Sequence, residues 1–256
     1  MKIEPFFSHY EILDSTNDVA LELLNKHQCV AVTAEFQRKG RGRNKKTWLG
    51  DAGKNLYYTF GINHNVENLP LYMLQIVGGL AVYNVLKRIS TEIDFFLKYP
   101  NDIYGTNNIF SIVPKKLSGI ISETNFIDKE NCSSIIGIGI NITQTFFPDE
   151  ISNNVTSLAL LGVESSIIDL RNKLTEEIIE LISKQHISVF DEWKHILNLE
   201  NKTIQIISDN FIDDNSGATS YYKLKKYLAD GRLLLVSDSS VERIIDNGDS
   251  IRYDLI

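Results

Sequence analysis

Apolar positions recur along this chain with two periods, and the switches between them mark its elements. In STNDVALELLNKH, residues 15–27, Val19 with Leu23 and Ala20 with Leu24 keep helical spacing behind Ser15 or Thr16 as the cap. Residues 30–36 alternate instead, with Val30, Val32, Ala34 and Phe36 on one face of a strand. The aromatic and β-branched run NLYYTFGI at 55–62 predicts a second strand. A long helix follows at 71–89. Gln75, Gly78, Gly79 and Asn84 interrupt its apolar run, which suits a buried helix and not a membrane span. Strands are expected at 95–99, ended by Pro100, and at 117–125 and 135–142. Ile167, Leu170, Leu174, Ile178 and Leu181 share a helical face behind Ser166, with Asp169 completing a capping pair. A shorter helix around 190–197 places Phe190, Trp193 and Leu197 in the core.

From Thr203 the helical period disappears. TIQIIS, YYKLKKYL, RLLLVS, VERII and SIRYDL read as short strands, with Asp230-Gly231 and Asn247-Gly248 as hairpin turns between them. Strands interleaved with helices, then strands alone, predict an α+β unit over residues 1–200 and a small β-barrel over 201–256.

At 256 residues and 43% hydrophobic content the chain can bury one good core and a small second one. Its two cysteines, Cys29 and Cys132, are far apart, which argues against a disulfide framework or zinc site and suits a reducing cytoplasm. The amino terminus lacks the apolar core and cleavage site of a signal peptide. The five histidines have no metal spacing, and no G-x-S-x-G or H-E-x-x-H occurs. Gly50-Asp-Ala-Gly-Lys-Asn55 fails as a P-loop, with two residues between its glycines and Asn55 where Ser or Thr should stand. Gly137-Ile-Gly139 lacks the third glycine of a dinucleotide fingerprint, and close approach of backbone to a ligand is its better use.

Charge changes the picture at one place. Six of the nine residues at 38–46 (Arg38, Lys39, Arg41, Arg43, Lys45 and Lys46) are positive in a chain of net charge −7. The remainder stands at −13, the −7 of the whole less the +6 of this segment. Cations this dense repel one another, and an anionic ligand would relieve that repulsion. Gly40 and Gly42 leave the backbone free to bend toward it, and Trp48 closes the run. The segment reads as an anion clamp for phosphate, expected to splay into solvent when empty because no acid lies nearby in sequence. The acidic remainder is unfavourable for general DNA binding, which needs a broad basic face.

Other signals are weak singly but occur in one order. Ser15-Thr16-Asn17, Gln37, Gly40-Arg41-Gly42-Arg43, Trp48 and Asn55-Leu56-Tyr57 come first. Lys98-Tyr99-Pro100-Asn101-Asp102, Lys116-Leu117-Ser118-Gly119-Ile120 and Gly137-Ile138-Gly139-Ile140-Asn141 follow. In that order the chain closely resembles the biotin protein ligases from Ser15 to Asn141, and the final β module resembles that family's SH3-like domain.

The resemblance implies a class II synthetase-like catalytic domain with a mixed sheet packed by helices. It also implies a two-step ligase using ATP, biotin and Mg2+. Biotin and ATP would give biotinyl-5′-adenylate, and a lysine of a biotin carboxyl carrier protein, as in acetyl-CoA carboxylase, would then take the acyl group. Carried over by position, Lys116, Arg43 and Asp102 are the catalytic candidates, with Asp102 also the metal ligand. Ser15, Thr16, Gln37, Gly40, Arg41, Lys116, Gly119 and Gly139 would bind biotin. Arg41, Arg43, Trp48, Asn101, Lys116 and Asn141 would bind ATP.

The chain departs from the family pattern in three places. Lys45-Lys46 replaces a Gly-Arg before the tryptophan, Tyr99 replaces a tryptophan, and GTNNIFSIVPK lengthens the connection from Asp102 to Lys116. The apolar Ile109, Phe110, Ile112 and Val113 in that insertion suggest an extended hairpin or a subunit contact, which leaves a homodimer open. The chain begins almost at the Ser-Thr-Asn helix, so no repressor-type helix-turn-helix is expected, nor a nucleic-acid partner, nor a membrane. The nearest rival reading is a lipoate or octanoate ligase or transferase of the same superfamily.

Overall fold

The computed structural model describes residues 3–107, 113–207 and 221–256. Its frame is a seven-stranded sheet with strand order β1-β2-β3-β7-β6-β5-β4. The strands are β1 (Phe6–Leu13), β2 (Cys29–Gln37), β3 (Asn55–Asn65), β4 (Asp94–Lys98), β5 (Asp102–Thr106), β6 (Lys115–Phe126) and β7 (Asn131–Asn141). Only β1 and β2 pair in parallel, so the sheet is mixed, as expected.

Helices cover both faces. On one side α2 (Leu71–Ile89) lies across the sheet with α4 (Ile167–Ser183) and α5 (His186–Leu197) packed against it. On the other, α1 (Thr16–Leu23) crosses β2, β3 and β7. The alternation in β2 serves both: Val30 and Val32 join Ala20 of α1 and Leu24 at its C-cap, while Cys29 and Ala31 join the large core under α2. Strand β7 sorts its residues the same way. Ile136, Ile138 and Ile140 enter the large core, and Gly137 and Gly139 take the opposite face. Ser15 is the N-cap of α1, although its side chain makes no capping bond, whereas Ser166 accepts from the Asp169 amide at 3.3 Å. Trp193 and Phe190 stack at 5.7 Å in the core, Trp193 only 1% exposed. Among the described residues no helix is long and apolar enough to cross a membrane.

After Leu197 comes a five-stranded antiparallel sheet, ordered β11-β10-β9-β8-β12, of the kind an SH3-like module needs. Its strands are β8 (Ile204–Ile206), β9 (Tyr221–Tyr227), β10 (Leu233–Ser237), β11 (Glu242–Ile245) and β12 (Ile251–Arg252). Asp230-Gly231 is the hairpin turn expected, with Gly231 at φ +82°.

One reading is corrected, and two strands were missed. Strand β1 carries weak alternation and was not anticipated. Strand β5 was not anticipated either: Asp102 pairs with Lys98, and Tyr99-Pro100-Asn101 form the bend of a β4–β5 hairpin. Asn247-Gly248 is no hairpin, because β12 pairs with β8 and not with β11. Gly248 instead abuts the large domain, where a Cβ would lie 2.1 Å from the Tyr99 carbonyl oxygen. Ile109, Phe110 and Ile112 of the insertion lie outside the described residues.

Candidate active site

A cavity of about 240 Å3 opens on the α1 side of the large sheet. Its lining holds Ser15, Thr16, Gln37, Arg41, Arg43 and Trp48 from the first third of the chain. Asn101, Asp102, Lys116, Gly119, Gly139 and Asn141 complete it from the strands behind. Of the residues expected at the site only Gly40 stays outside. Its carbonyl accepts from the Trp48 amide at 3.0 Å, and a Cβ there would lie 2.9 Å from the Trp48 carbonyl oxygen. Gly40 is thus a closing point of the basic loop.

The floor is a web of neutral polar groups. The Thr16 amide and hydroxyl both donate to Gln37 Oε1, at 2.7 and 3.0 Å. The Thr59 hydroxyl reaches Thr16 Oγ1 at 2.8 Å and Asn17 Oδ1 at 2.7 Å. Gly137 gives Asn17 its place, since a Cβ would stand 2.4 Å from Asn17 Oδ1.

A bulge sets the position of Lys116. Ile103 pairs with Ser118 but its neighbour Tyr104 pairs with Lys116, so Leu117 is the extra residue of β6. Leu117 turns into the core, and Lys116 joins Gly119 on the cavity face although the two are three positions apart. There the Lys116 ammonium pairs with Asp102 at 2.7 Å and stands 5.8 Å above the Trp48 ring. Nearby, burial and the charge of Arg252 lower the Lys98 ammonium below its ordinary value.

The indole of Trp48 lies across Gly119 and Gly139, which pair between β6 and β7. A Cβ on Gly119 would come within 2.8 Å of Cζ3, and one on Gly139 within 2.6 Å of Cε2. The glycines thus serve close approach, and the group that approaches in this structure is the protein's own tryptophan. Trp48 Nε1 and Asn141 Oδ1 are buried and have no hydrogen-bond partner among the described residues. Asn101 donates to the Ile120 carbonyl at 2.8 Å and accepts from Arg43 at 3.0 Å.

The basic loop does not splay outward. Gly42 donates to the Lys46 carbonyl at 2.7 Å, and Asn44 at φ +52° supplies the left-handed residue that turns the chain. The acids missing from the local sequence arrive from elsewhere. Asp14 pairs with Lys39 at 2.8 Å, and Asp18 and Glu123 pair with Arg41 at 2.7 and 3.2 Å. Burial opposes the Arg41 charge, but Asp18 and Glu123 outweigh it and hold the guanidinium more firmly protonated. The small sheet contributes too: Asn247 accepts from Arg43 at 3.1 Å, and Asp249 takes Asn44 at 2.7 Å and Lys46 at 3.4 Å. Sequence reasoning missed Asn17, Thr59, Glu123, Asn247 and Asp249 as participants. Asn17 was signalled only by its place in Ser-Thr-Asn and Asn247 by its Asx-Gly pair, and Thr59, Glu123 and Asp249 carried no signal. Among the described residues no three His, Cys, Asp or Glu side chains gather as a preformed metal site.

Comparison with known proteins bears on the family and the fold. Residues 10–141 match the model of the biotin/lipoate A/B protein ligase family. The bifunctional ligase/repressor BirA of Salmonella typhimurium is 26% identical over 209 residues, covering 77% of this chain and 61% of that protein. BirA of Bacillus subtilis is 30% identical over 155 residues, covering 59% and 45%. The chain therefore spans between 45% and 61% of the length of these relatives. Among solved structures, the biotin protein ligase from Aquifex aeolicus in complex with biotin and ATP superposes with a TM-score of 0.71. It shares 24% identity over 98% of this chain and 99% of that one, a likeness of fold. With the family model covering more than half its length, the chain belongs to the biotin/lipoate A/B protein ligase family.

Proposed function

We propose that this protein is a biotin protein ligase of the cytoplasm, with residues 1–200 catalytic and 201–256 a small supporting module. The observation that carries the reading is the convergence of Lys116, Arg41 and Arg43 on one cavity above the Ser15-Thr16-Gln37 floor. Hydroxyl, amide and backbone groups on that floor suit a ureido ring, which needs donors and acceptors together, better than the dithiolane of lipoate.

In the first step a carboxylate oxygen of biotin attacks the α-phosphorus of ATP. A carbon–oxygen–phosphorus anhydride forms, and the bond to pyrophosphate breaks. Negative charge accumulates between two anions, so fixed cations lower the barrier. Lys116 lies against the carboxylate and α-phosphate in this reading, with Arg41 and Arg43 on carboxylate and phosphate. Asn101 sits on the phosphate side. The orphaned acceptor of Asn141 suits an adenine amino group, and Trp48 covers the adenylate. Asp102 is the carboxylate that would hold Mg2+. A magnesium ion keeps several waters and needs only one or two protein carboxylates, so Asp102 alone would suffice. The ion would neutralise the triphosphate. In the second step the amine of a carrier-protein lysine attacks the acyl carbon. An amide forms, AMP leaves with the bridging oxygen, and the attacking nitrogen loses a proton.

The test is incubation with MgATP and either biotin or lipoate, followed by mass identification of the acyl-adenylate. Biotinyl-adenylate should form and lipoyl-adenylate should not. Equal use of lipoate or octanoate would replace this reading with that of a lipoate ligase.

A further inference from the structure

Glu123 lies outside the cavity lining yet holds two residues of it. Its carboxylate accepts from Asn17 Nδ2 at 2.9 Å and from Arg41 Nη2 at 3.2 Å on each oxygen. Asn17 in turn is fixed on every side. Its amide oxygen takes the Thr59 hydroxyl, and its plane lies against the bare backbone of Gly137. The partners come from distant parts of the chain, Asn17 being 106 residues and Arg41 82 residues from Glu123. A continuous polar chain thus runs from Gln37 through Thr16, Thr59, Asn17 and Glu123 to Arg41. One end is the floor of the cavity and the other is the basic loop.

We propose that Glu123 is a positioning residue for Arg41, and that Asn17 couples the aim of that guanidinium to the floor. The proposal rests on the ligase reading of the site. Asp18 takes only Nη1 of Arg41 and is itself half exposed, so alone it leaves the guanidinium plane free to turn. Glu123 takes Nη2 and is anchored through Asn17, so the two carboxylates together fix the plane. The Thr59 hydroxyl has one proton for two acceptors, Thr16 and Asn17. A ligand group that donates to Thr16 Oγ1 would turn that proton toward Asn17 and tighten the grip on Glu123.

The experiment measures single-turnover biotinyl-adenylate formation and biotin affinity for wild type, Glu123→Gln, Arg41→Ala and the double variant. Glu123→Gln keeps shape and one acceptor but loses the charge. Its adenylation rate should fall about ten-fold while the biotin Kd rises no more than about three-fold. Added to Arg41→Ala it should cause no further loss, because Glu123 acts only through that arginine. Asn17→Ala breaks the chain from the other end and should lower the adenylation rate as well, including if Glu123→Gln fails to fold; because Asn17 lines the floor, its biotin Kd should rise more than that of Glu123→Gln. A wild-type rate in Glu123→Gln, or losses that multiply in the double variant, would overturn the positioning role. A wild-type protein that forms no biotinyl-adenylate would overturn the ligase reading, and this role with it.

Discussion

Trp48 rests on Gly139 at a distance that only a residue without a side chain permits: a methyl group there would stand 2.6 Å from the indole Cε2. The glycine is therefore a seat for the ring, and the ring is a wall of the cavity. Gly139→Ala should unseat the indole at a stability cost of about 1–3 kcal/mol, the usual penalty for overpacking. The chain has two tryptophans and Trp193 is in the core, so emission from a Trp193→Phe background reports Trp48 alone. A red shift on adding Gly139→Ala, together with loss of adenylation, is the expected outcome. Unchanged emission would mean that the ring and strand β7 accommodate the methyl group.

Lys116→Ala should damage the first step more than the second. The ammonium faces charge that builds between carboxylate and phosphate, and losing one such contact typically costs about 2–4 kcal/mol. That corresponds to roughly a hundred-fold or more in rate. Single-turnover adenylate formation is the measurement, with transfer from preformed biotinyl-adenylate as the comparison. Normal adenylation with slow transfer would reassign the lysine to the second step.

Docking of the basic loop should depend on Asp249. Burial alone would raise that carboxyl, but Lys46, Asn44 and Arg43 outweigh it and hold it below its ordinary value of 3.8. A carboxyl depressed by folding contributes fully above its unfolded pKa, and the contribution disappears as the pH falls through the folded value. Loop contacts should therefore survive at neutral pH and loosen only in acid below about 3.8. Because Lys46 is largely and Asp249 about half exposed, the pair is screened and is worth about 0–1 kcal/mol. Asp249→Asn, or high salt, should speed amide exchange across residues 42–47 by no more than about five-fold.

Cys29 should be inert toward alkylation in the folded protein. It is buried, and that burial pushes its thiol up to about 12, so almost no thiolate exists at neutral pH. Iodoacetamide labelling followed by mass spectrometry should find it modified only in denaturant.

What could be read from the sequence divides along physical lines. Elements whose own residues carry a period were legible: α2 covers residues 71–89 as expected, and α4 starts at its Ser166 cap. Strand β1 was not, because it is an edge strand with exposed Phe6, Phe7 and Ile12 and little alternation to detect. At the site, the cationic and hydroxyl residues announced themselves by type and order. Their partners did not. Asp18, Glu123 and Asp249 are ordinary acids in an acidic chain, and only the fold brings them to Arg41 and Lys46. Local reading therefore misjudged the empty loop, which finds its counter-charges from as far as 203 residues away.

The extra residue at Leu117 makes the candidate catalytic lysine a matter of parity. In a regular strand, residues three apart face opposite sides, so Lys116 would share a side with Ser118 and not with Gly119. Chemical substitutions at Leu117 that keep it apolar leave that arithmetic intact. Deleting Leu117 itself would remove the bulge and leave Lys116 two residues before Gly119, so a regular strand would still deliver the ammonium to the cavity face. The stretch between Lys116 and Gly119 should thus keep its lysine on the cavity face when shortened by that one residue, yet lose stability when Leu117, buried in the core, is made polar, a contrast that a scan of deletions beside point variants would expose directly.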